Sequence, residues 1–325
     1  MPFVIAILLS FVPAFIYATI VYWLDRFEKE PLRLLVGAFG WGAFVATVGA
    51  IIWSSVLQIG IEIFISDPFL IDLSGAALVA PLVEETLKGL AVAIIFLAFP
   101  QEFDSVLDGM VYGAITALGF AATENLLYLY FLGYAEDGYP GMIALFVLRV
   151  ILGGWGHAVY TAFIGIGLAV ARLSPHWPIK LLAPLLGWGV AVFLHALHNA
   201  MATVLAGSLG GLAATLLVDW ISWLVVFGIV IGEILRERRW MRLYLREEVD
   251  LGTIREEHYR TATSIRGQAQ ARMRGKTWRR FYEACAELAQ KKHQLATLGE
   301  ERGNTARIAA LRAQLTLLAP SVGAV

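Results

Sequence analysis

Seven apolar runs dominate the chain, at residues 2–24, 35–65, 76–100, 105–132, 142–171, 179–206 and 211–235, with short polar breaks between them. A bilayer core of ~30 Å takes about twenty helical residues to cross. Backbone amides within it must be satisfied inside each segment or in a closed barrel. The runs therefore predict an all-α fold, a polytopic membrane bundle of about seven transmembrane helices in contact with the lipid bilayer. With 58% hydrophobic and 16% charged residues, the composition lies outside the range of ordinary soluble domains. The first run lacks a small-residue cleavage site and a strongly basic start, so it is expected to stay as a helix.

The breaks carry an orientation signal. Arg26, Lys29 and Arg33 follow the first run, Arg172 and Lys180 flank the gap after the fifth, and Arg236, Arg238 and Arg239 follow the seventh. The intervening breaks hold no Lys or Arg. The protein is expected in the plasma membrane, and the positive-inside rule puts its N-terminus outside and its C-terminus in the cytoplasm. Charge also splits the chain: residues 1–235 carry a net charge of −9 and residues 236–325 one of +8. The first part is expected to be the membrane domain and the second a basic cytoplasmic helical tail. In the tail, residues 278–288 and 308–318 have helical periodicity around a break at 299–304, which predicts a helical hairpin. Its role is a solvated cap or, through its Arg-rich face, a contact with anionic lipid. No nucleic-acid partner is expected. The single cysteine, Cys285, excludes an intramolecular disulfide and a Cys-based metal cluster.

Against this apolar background the third run contains Glu84, Glu85 and Lys88. A charge at the centre of a bilayer costs on the order of 3 kcal/mol even on lenient scales, so such residues are functional candidates. Glu124 on the fourth run, His157 on the fifth, and His195, His198 and Asn199 on the sixth add to them. Counted inward at 1.5 Å per residue, Glu84, Glu85, Glu124 and His198 lie about 12–14 Å from the outer helix ends, His195 about 16 Å and His157 about 18–22 Å. They share one layer. Lys88 follows Glu84 by four residues and Glu85 by three, so it can hold one carboxylate and leave the other available. His195 and Asn199 share a face at the same spacing. Gly109 and Gly113, with Gly153, Gly154 and Gly156, permit close helix approach.

Carboxylates and imidazoles in a sheltered pocket suit hydrolysis. A carboxylate serves as general base, or Glu and His hold a metal, with Asn and His donating to an oxyanion. Each group alone also has a structural reading: an ion pair, a bonded core histidine, an interhelical tie. Their common depth on adjacent helices favours a site. The rival from another class is a proton- or ion-coupled transporter built on the same cluster, although no inverted repeat is evident.

The ordered set Glu84-Glu85-x-x-Lys88, Phe120-x-x-x-Glu124-Asn125, the His157 region and His195-x-x-x-Asn199 resembles the PrsW-type intramembrane proteases. The likeness extends to residues 25–31 after the first run and to residues 103–109 leading into the fourth. It covers most of residues 1–235 and none of the tail. It implies cleavage of membrane-protein substrates, typified by single-pass regulators such as anti-sigma factors. The family is distantly similar to the prenyl-protein (CAAX) endopeptidases. By that analogy Glu84 is the base and His195 with Asn199 the oxyanion donors, while Lys88 steadies the pair and His198 is secondary. This chain departs from the CAAX pattern by placing Glu124 where a histidine is expected. A zinc ion held by Glu85, Glu124, His157 and His195 is therefore preferred over a metal-free glutamate mechanism, with Glu84 an alternative to Glu85. His176, His258 and His293 are expected at the surface. Arg149 and Asp219 are expected to partner either the site or each other.

Overall fold

The computed structural model describes residues 1–25, 27, 29–300 and 303–323. Arg26 and Glu28 of the juxtamembrane motif, Glu301 and Arg302 of the expected tail break, and the last two residues lie outside it. The described residues are helical with no strand.

The first helix, α1 (Pro2–Leu24), starts on a proline whose missing N–H costs nothing in a first turn and ends at the polar Asp25. Next comes α2 (Leu32–Glu62), which follows Pro31. Asp67 caps α3 (68–98): its Oδ1 accepts the Leu70 N–H at 3.0 Å, and the helix widens over Gly75–Val79 before Ala80–Ala98. A capping box opens α4 (106–137): Ser105 Oγ accepts the Asp108 N–H at 3.3 Å, and Asp108 Oδ2 accepts the Ser105 N–H at 2.7 Å. The chain reverses at Gly138, whose φ of 66° favours glycine, and α5 (139–152) packs back against residues 128–134. After a non-helical turn at 153–155 come α6 (Gly156–Leu173), α7 (Trp177–Val204) and α8 (Leu209–Asp250).

Five helical stretches are long and apolar enough to cross a membrane: Pro2–Leu24, Leu32–Glu62, Val106–Leu173, Trp177–Val204 and Leu209–Asp250. The third of these contains the reversal at Gly138. The helix that bears Glu84, Glu85 and Lys88 is not among the five, because those charges interrupt its apolar run.

The most buried helix is α4, and α6 crosses it at glycines. A Cβ on Gly165 would lie 1.8 Å from the Gly109 carbonyl oxygen, and one on Gly113 would lie 2.6 Å from that of Thr161. Gly187 of α7 meets the Phe163 carbonyl in the same way, with an added Cβ only 2.3 Å away. The close approach expected at Gly109 and Gly113 is thus observed. Gly153 and Gly154 break the fifth apolar run, and Gly154 also serves an interhelical contact: a Cβ there would lie 2.1 Å from the Val150 carbonyl of its own turn and 2.7 Å from the Tyr17 ring of α1.

No interruption falls at residue 235, because α8 continues unbroken to Asp250. Beyond it lie α9 (Glu256–Ala262), α10 (Ile265–Met273), α11 (Lys276–Leu298) and α12 (Asn304–Leu318). The expected hairpin is α11 with α12, and it is part of a larger packed unit. Met241 and Leu245 of α8 share one core with Phe281, Tyr282, Leu288, Leu311 and Leu315, joined by Phe27. Two bonds tie this unit to the loop before α4: Lys291 Nζ donates to Asp104 Oδ2 at 2.5 Å and Gln294 Nε2 to Asp104 Oδ1 at 2.6 Å.

His176 is exposed, as expected. His258 corrects the surface expectation: it is buried in the tail core, Nε2 facing the Val322 carbonyl at 2.8 Å. Sequence spacing gave no sign of this, because the C-terminal segment that covers it is remote in the chain. His293 is half-buried and stacks on Trp240 with ring centroids 4.1 Å apart.

Candidate active site

The crossings of α3, α4, α6 and α7 bring the expected polar residues together around one ammonium group. Lys88 is fully buried. Its Nζ donates to Glu85 Oε1 at 2.6 Å, lies 3.4 Å from Glu84 Oε2 and meets His157 Nδ1 at 3.2 Å. It also sits 4.2 Å from the centroid of the Phe120 ring, a placement that favours a cation over an aromatic face.

Glu85 is fully committed. Its Oε1 faces His195 Nδ1 at 3.0 Å as well as Lys88, and its Oε2 accepts the Thr161 hydroxyl at 2.7 Å. With Nδ1–H donated to a carboxylate, the lone pair of His195 is on Nε2, 3.9 Å from Glu84 Oε2. Glu124 is committed too. Its Oε2 accepts from Arg149 at 2.6 Å and lies 3.0 Å from His157 Nε2. Arg149 is steadied by Asn125 Oδ1 at 3.1 Å and by the Tyr128 ring at 3.7 Å. Since His157 Nδ1 faces an ammonium, it accepts, and Nε2 carries the proton donated to Glu124. The two histidine rings meet edge to face with centroids 5.0 Å apart.

Glu84 is the exception. Its contacts among the described residues are the two long ones, to Lys88 and His195. Glu84, His157 and His195 each present a ligand atom, and all three atoms lie within 4.8 Å of one another. One carboxylate and two imidazoles form the donor set of a catalytic zinc site, and a carboxylate stands behind each imidazole, as second-shell partners of metal-bound histidines do. Glu84, Glu85 and Glu124 against Lys88 and Arg149 leave one negative charge in excess. Glu84 and the Nε2 lone pair of His195 fit a cation, and His157 joins them by releasing the Nδ1 lone pair that faces Lys88 at 3.2 Å. This trio differs from the expected set of Glu85, Glu124, His157 and His195, in that Glu85 and Glu124 bond to the histidines while Glu84 faces the shared point.

Asn199 and His198 flank the cluster. Asn199 Nδ2 donates to the Ala76 carbonyl at 2.8 Å, in the widened turn of α3. His198 Nδ1 meets Asp219 at 3.0 Å, and the same Asp219 oxygen accepts the Tyr160 hydroxyl at 3.0 Å. Tyr160 in turn stacks on His195, centroids 5.3 Å apart. Arg149 and Asp219 thus each partner the site and not each other. Tyr160 and Thr161 were not singled out by the sequence. The one signal that could have found them is position: both lie one helical turn after His157 on α6.

A sequence model of the PrsW family of intramembrane metalloproteases matches residues 30–231. Curated relatives named "Protease PrsW" include one from Clostridioides difficile, 36% identical over 113 residues, covering 34% of this chain and 45% of the relative. Another, from Geobacillus kaustophilus, is 31% identical over 153 residues, 47% of this chain and 60% of the relative. One from Bacillus subtilis is 32% identical over 154 residues, 47% of this chain and 62% of the relative. The chain thus spans about half the length of the curated relatives it matches. No solved structure matches it significantly.

Proposed function

Because the chain belongs to the PrsW family of intramembrane metalloproteases, we propose that it is an intramembrane endopeptidase that hydrolyses peptide bonds of membrane-protein substrates, single-pass regulators of the anti-sigma-factor kind among them. The observation that carries this reading is the convergence of Glu84, His157 and His195 on one point beside a buried Lys88. The transporter alternative is not favoured, since the relatives are named proteases.

Glu84, His157 and His195 are the residues to hold the metal, with zinc as the ion their donor set suits. When bound, zinc supplies Lewis acidity, activating water and polarising the scissile carbonyl. The rest is done by the chain. Lys88 keeps Glu85 ionised and in place, Glu85 fixes the tautomer of His195, and the Arg149–Glu124 pair does the same for His157. Thr161 closes the remaining valence of Glu85. The glycine crossings of α4, α6 and α7 hold these helices close enough to limit entry of bulk water.

A second reading has its own observation: the Lys88 ammonium lies 3.2 Å from His157 Nδ1, the nitrogen not bonded to Glu124. In a metal-free mechanism Glu84, the least engaged carboxylate, takes a proton from the attacking water and passes it to the amide nitrogen as the C–N bond breaks. Purified protein in nanodiscs, offered single-pass substrates, tests the shared claim. Glu84→Gln, His157→Ala and His195→Ala should each lose cleavage while still folding; full activity in all three would end the protease reading.

The expected topology completes the proposal: seven crossings in the plasma membrane, with the N-terminus outside and residues 236–325 as a cytoplasmic unit. Lys and Arg in the breaks support it.

A further inference from the structure

We propose that Asp219, reaching in from α8, is a positioning residue that sets the plane of the His195 ring through Tyr160. Within the four helices that carry the cluster, His195 is bonded at Nδ1, which faces Glu85 Oε1 at 3.0 Å. That bond selects the tautomer but not the ring plane, because the second torsion of a histidine side chain has a broad well. For Nε2 to stay aimed at the point it shares with Glu84 and His157, the face of the ring must be held as well. Tyr160 holds it. Its buried ring stacks on His195 with centroids 5.3 Å apart and planes 21° from parallel. It also meets His157 at 6.1 Å and 70°, so one tyrosine braces both imidazoles of the trio.

A tyrosine ring turns about the same kind of torsion unless its hydroxyl is fixed. The Tyr160 hydroxyl donates to Asp219 Oδ1 at 3.0 Å. The same oxygen faces His198 Nδ1 at 3.0 Å, and because an ionised carboxylate only accepts, His198 donates there. Asp219 is 2% exposed, and among the described residues no lysine or arginine pairs with it. A carboxylate inside an apolar run is costly and calls for a reason. Two donors from two helices of the site supply it: Asp219 ties α6 and α7 to α8 at a single atom. Its level agrees. Asp219 lies ten residues into α8, ~15 Å from the helix start, in the layer of the glutamates and histidines.

Hydrogen bond and stacking thus act in series. Without the acceptor the hydroxyl is free, the tyrosine ring slackens, and His195 Nε2 drifts from the shared point. A site whose supporting groups are loose loses affinity and rate even with its ligands present. The inference rests on the proposed site and deepens it, so its test needs a readout that does not depend on cleavage.

Nuclear magnetic resonance of the full-length, metal-free protein in detergent micelles, with isotope-labelled histidine and His195 assigned through His195→Gln, provides one. The wild-type His195 ring signals should be sharp and shifted upfield by the Tyr160 face. In Asp219→Leu and in Tyr160→Phe they should broaden and lose most of that shift. Asp219→Asn keeps an acceptor for the hydroxyl and should give the wild-type spectrum. Competition with a metal indicator should show zinc bound about tenfold more weakly in Asp219→Leu and in Tyr160→Phe. The double variant should lose no more than either alone, since both changes break one chain of contacts. In cleavage, kcat should fall about tenfold with KM within about twofold, as for a change that acts on the reacting geometry. Wild-type-like His195 signals in Asp219→Leu and Tyr160→Phe, an equal loss in Asp219→Asn and Asp219→Leu, or additive losses in the double variant would each overturn the proposal. Tyr160→Phe, which removes one hydroxyl, decides the matter if Asp219→Leu does not fold. Wild-type protein that neither binds zinc nor cleaves would count against the protease reading alone, because the histidine spectra still decide what holds the ring.

Discussion

Lys88 and Lys292 are both buried and each is held between two glutamates, and they do different things. In the tail, Lys292 Nζ donates to Glu247 at 2.6 Å, Glu248 at 2.7 Å and the Tyr244 carbonyl at 2.9 Å. Glu248 is further held by Arg312 at 2.7 Å and 2.9 Å. Every partner is used up, and nothing there faces an unfilled point. In the membrane domain Lys88 grips Glu85 equally tightly but leaves Glu84 at 3.4 Å, with the Nε2 lone pair of His195 beyond it. A buried ion pair is therefore not by itself the mark of a site, since such pairs also serve structure. What distinguishes Lys88 is unspent ligand capacity next to a satisfied pair.

The comparison can be broken in several ways. The largest effect is expected from Glu84→Gln or His195→Ala, each lowering cleavage by at least ~10³-fold, the scale on which members of a concerted site act. Lys292→Met should leave cleavage of the folded protein within about threefold, because residues outside the concerted site contribute little to its rate; loss of activity in that variant would erase the distinction.

Stability sharpens it next. Lys88→Met strands the Glu85 carboxylate in a fully buried position and should cost about 3–5 kcal/mol, while the double change with Glu85→Gln recovers part of that. Lys292→Met should cost less, because Arg312 still holds Glu248. Chemical denaturation in detergent measures both. If the two lysine variants were equally destabilised, the reading of Glu85 as dependent on Lys88 would be wrong.

Smaller again is the effect of the groups behind the histidines. Glu124→Gln should weaken metal affinity about 10–100-fold with the fold intact, whereas Glu248→Gln should leave it unchanged. Competition with a metal indicator reads this directly.

The smallest effect belongs to the tail. Burial holds the His258 imidazole below its usual value of 6.5, so the unfolded tail binds more protons near that pH than the folded one. Stability should be complete above about pH 6.5 and decline as the pH falls below it. Hydrogen exchange of α9 should show this in the native protein and not in His258→Gln.

Much of this was legible in the sequence, and the reasons are specific. The apolar runs marked where helices lie, except that the fifth, 142–171, is split at 153–155, and Glu84, Glu85, Lys88, Glu124, His157 and His195 stood out because charge in such runs is costly. Their pairing was not legible. Arg149 lies 25 residues from Glu124, and Tyr160 lies 59 residues from Asp219, so helix crossings decide both. The trio around the shared point was only partly visible, because Glu84 and Glu85 are adjacent and nothing in the spacing says which one Thr161 and His195 will claim. In the tail, α11 and α12 showed through their periodicity. The short α9 and α10 did not, being two turns each and dependent on Phe281 and Tyr282 for burial.

Elemental analysis of the purified, folded protein tests the central claim most directly. Zinc should be near one equivalent per chain and should be lost in Glu84→Gln and His195→Ala but retained in Lys292→Met. A preparation that cleaves substrate while free of metal and indifferent to chelator would contradict it and leave Glu84 acting as the base alone.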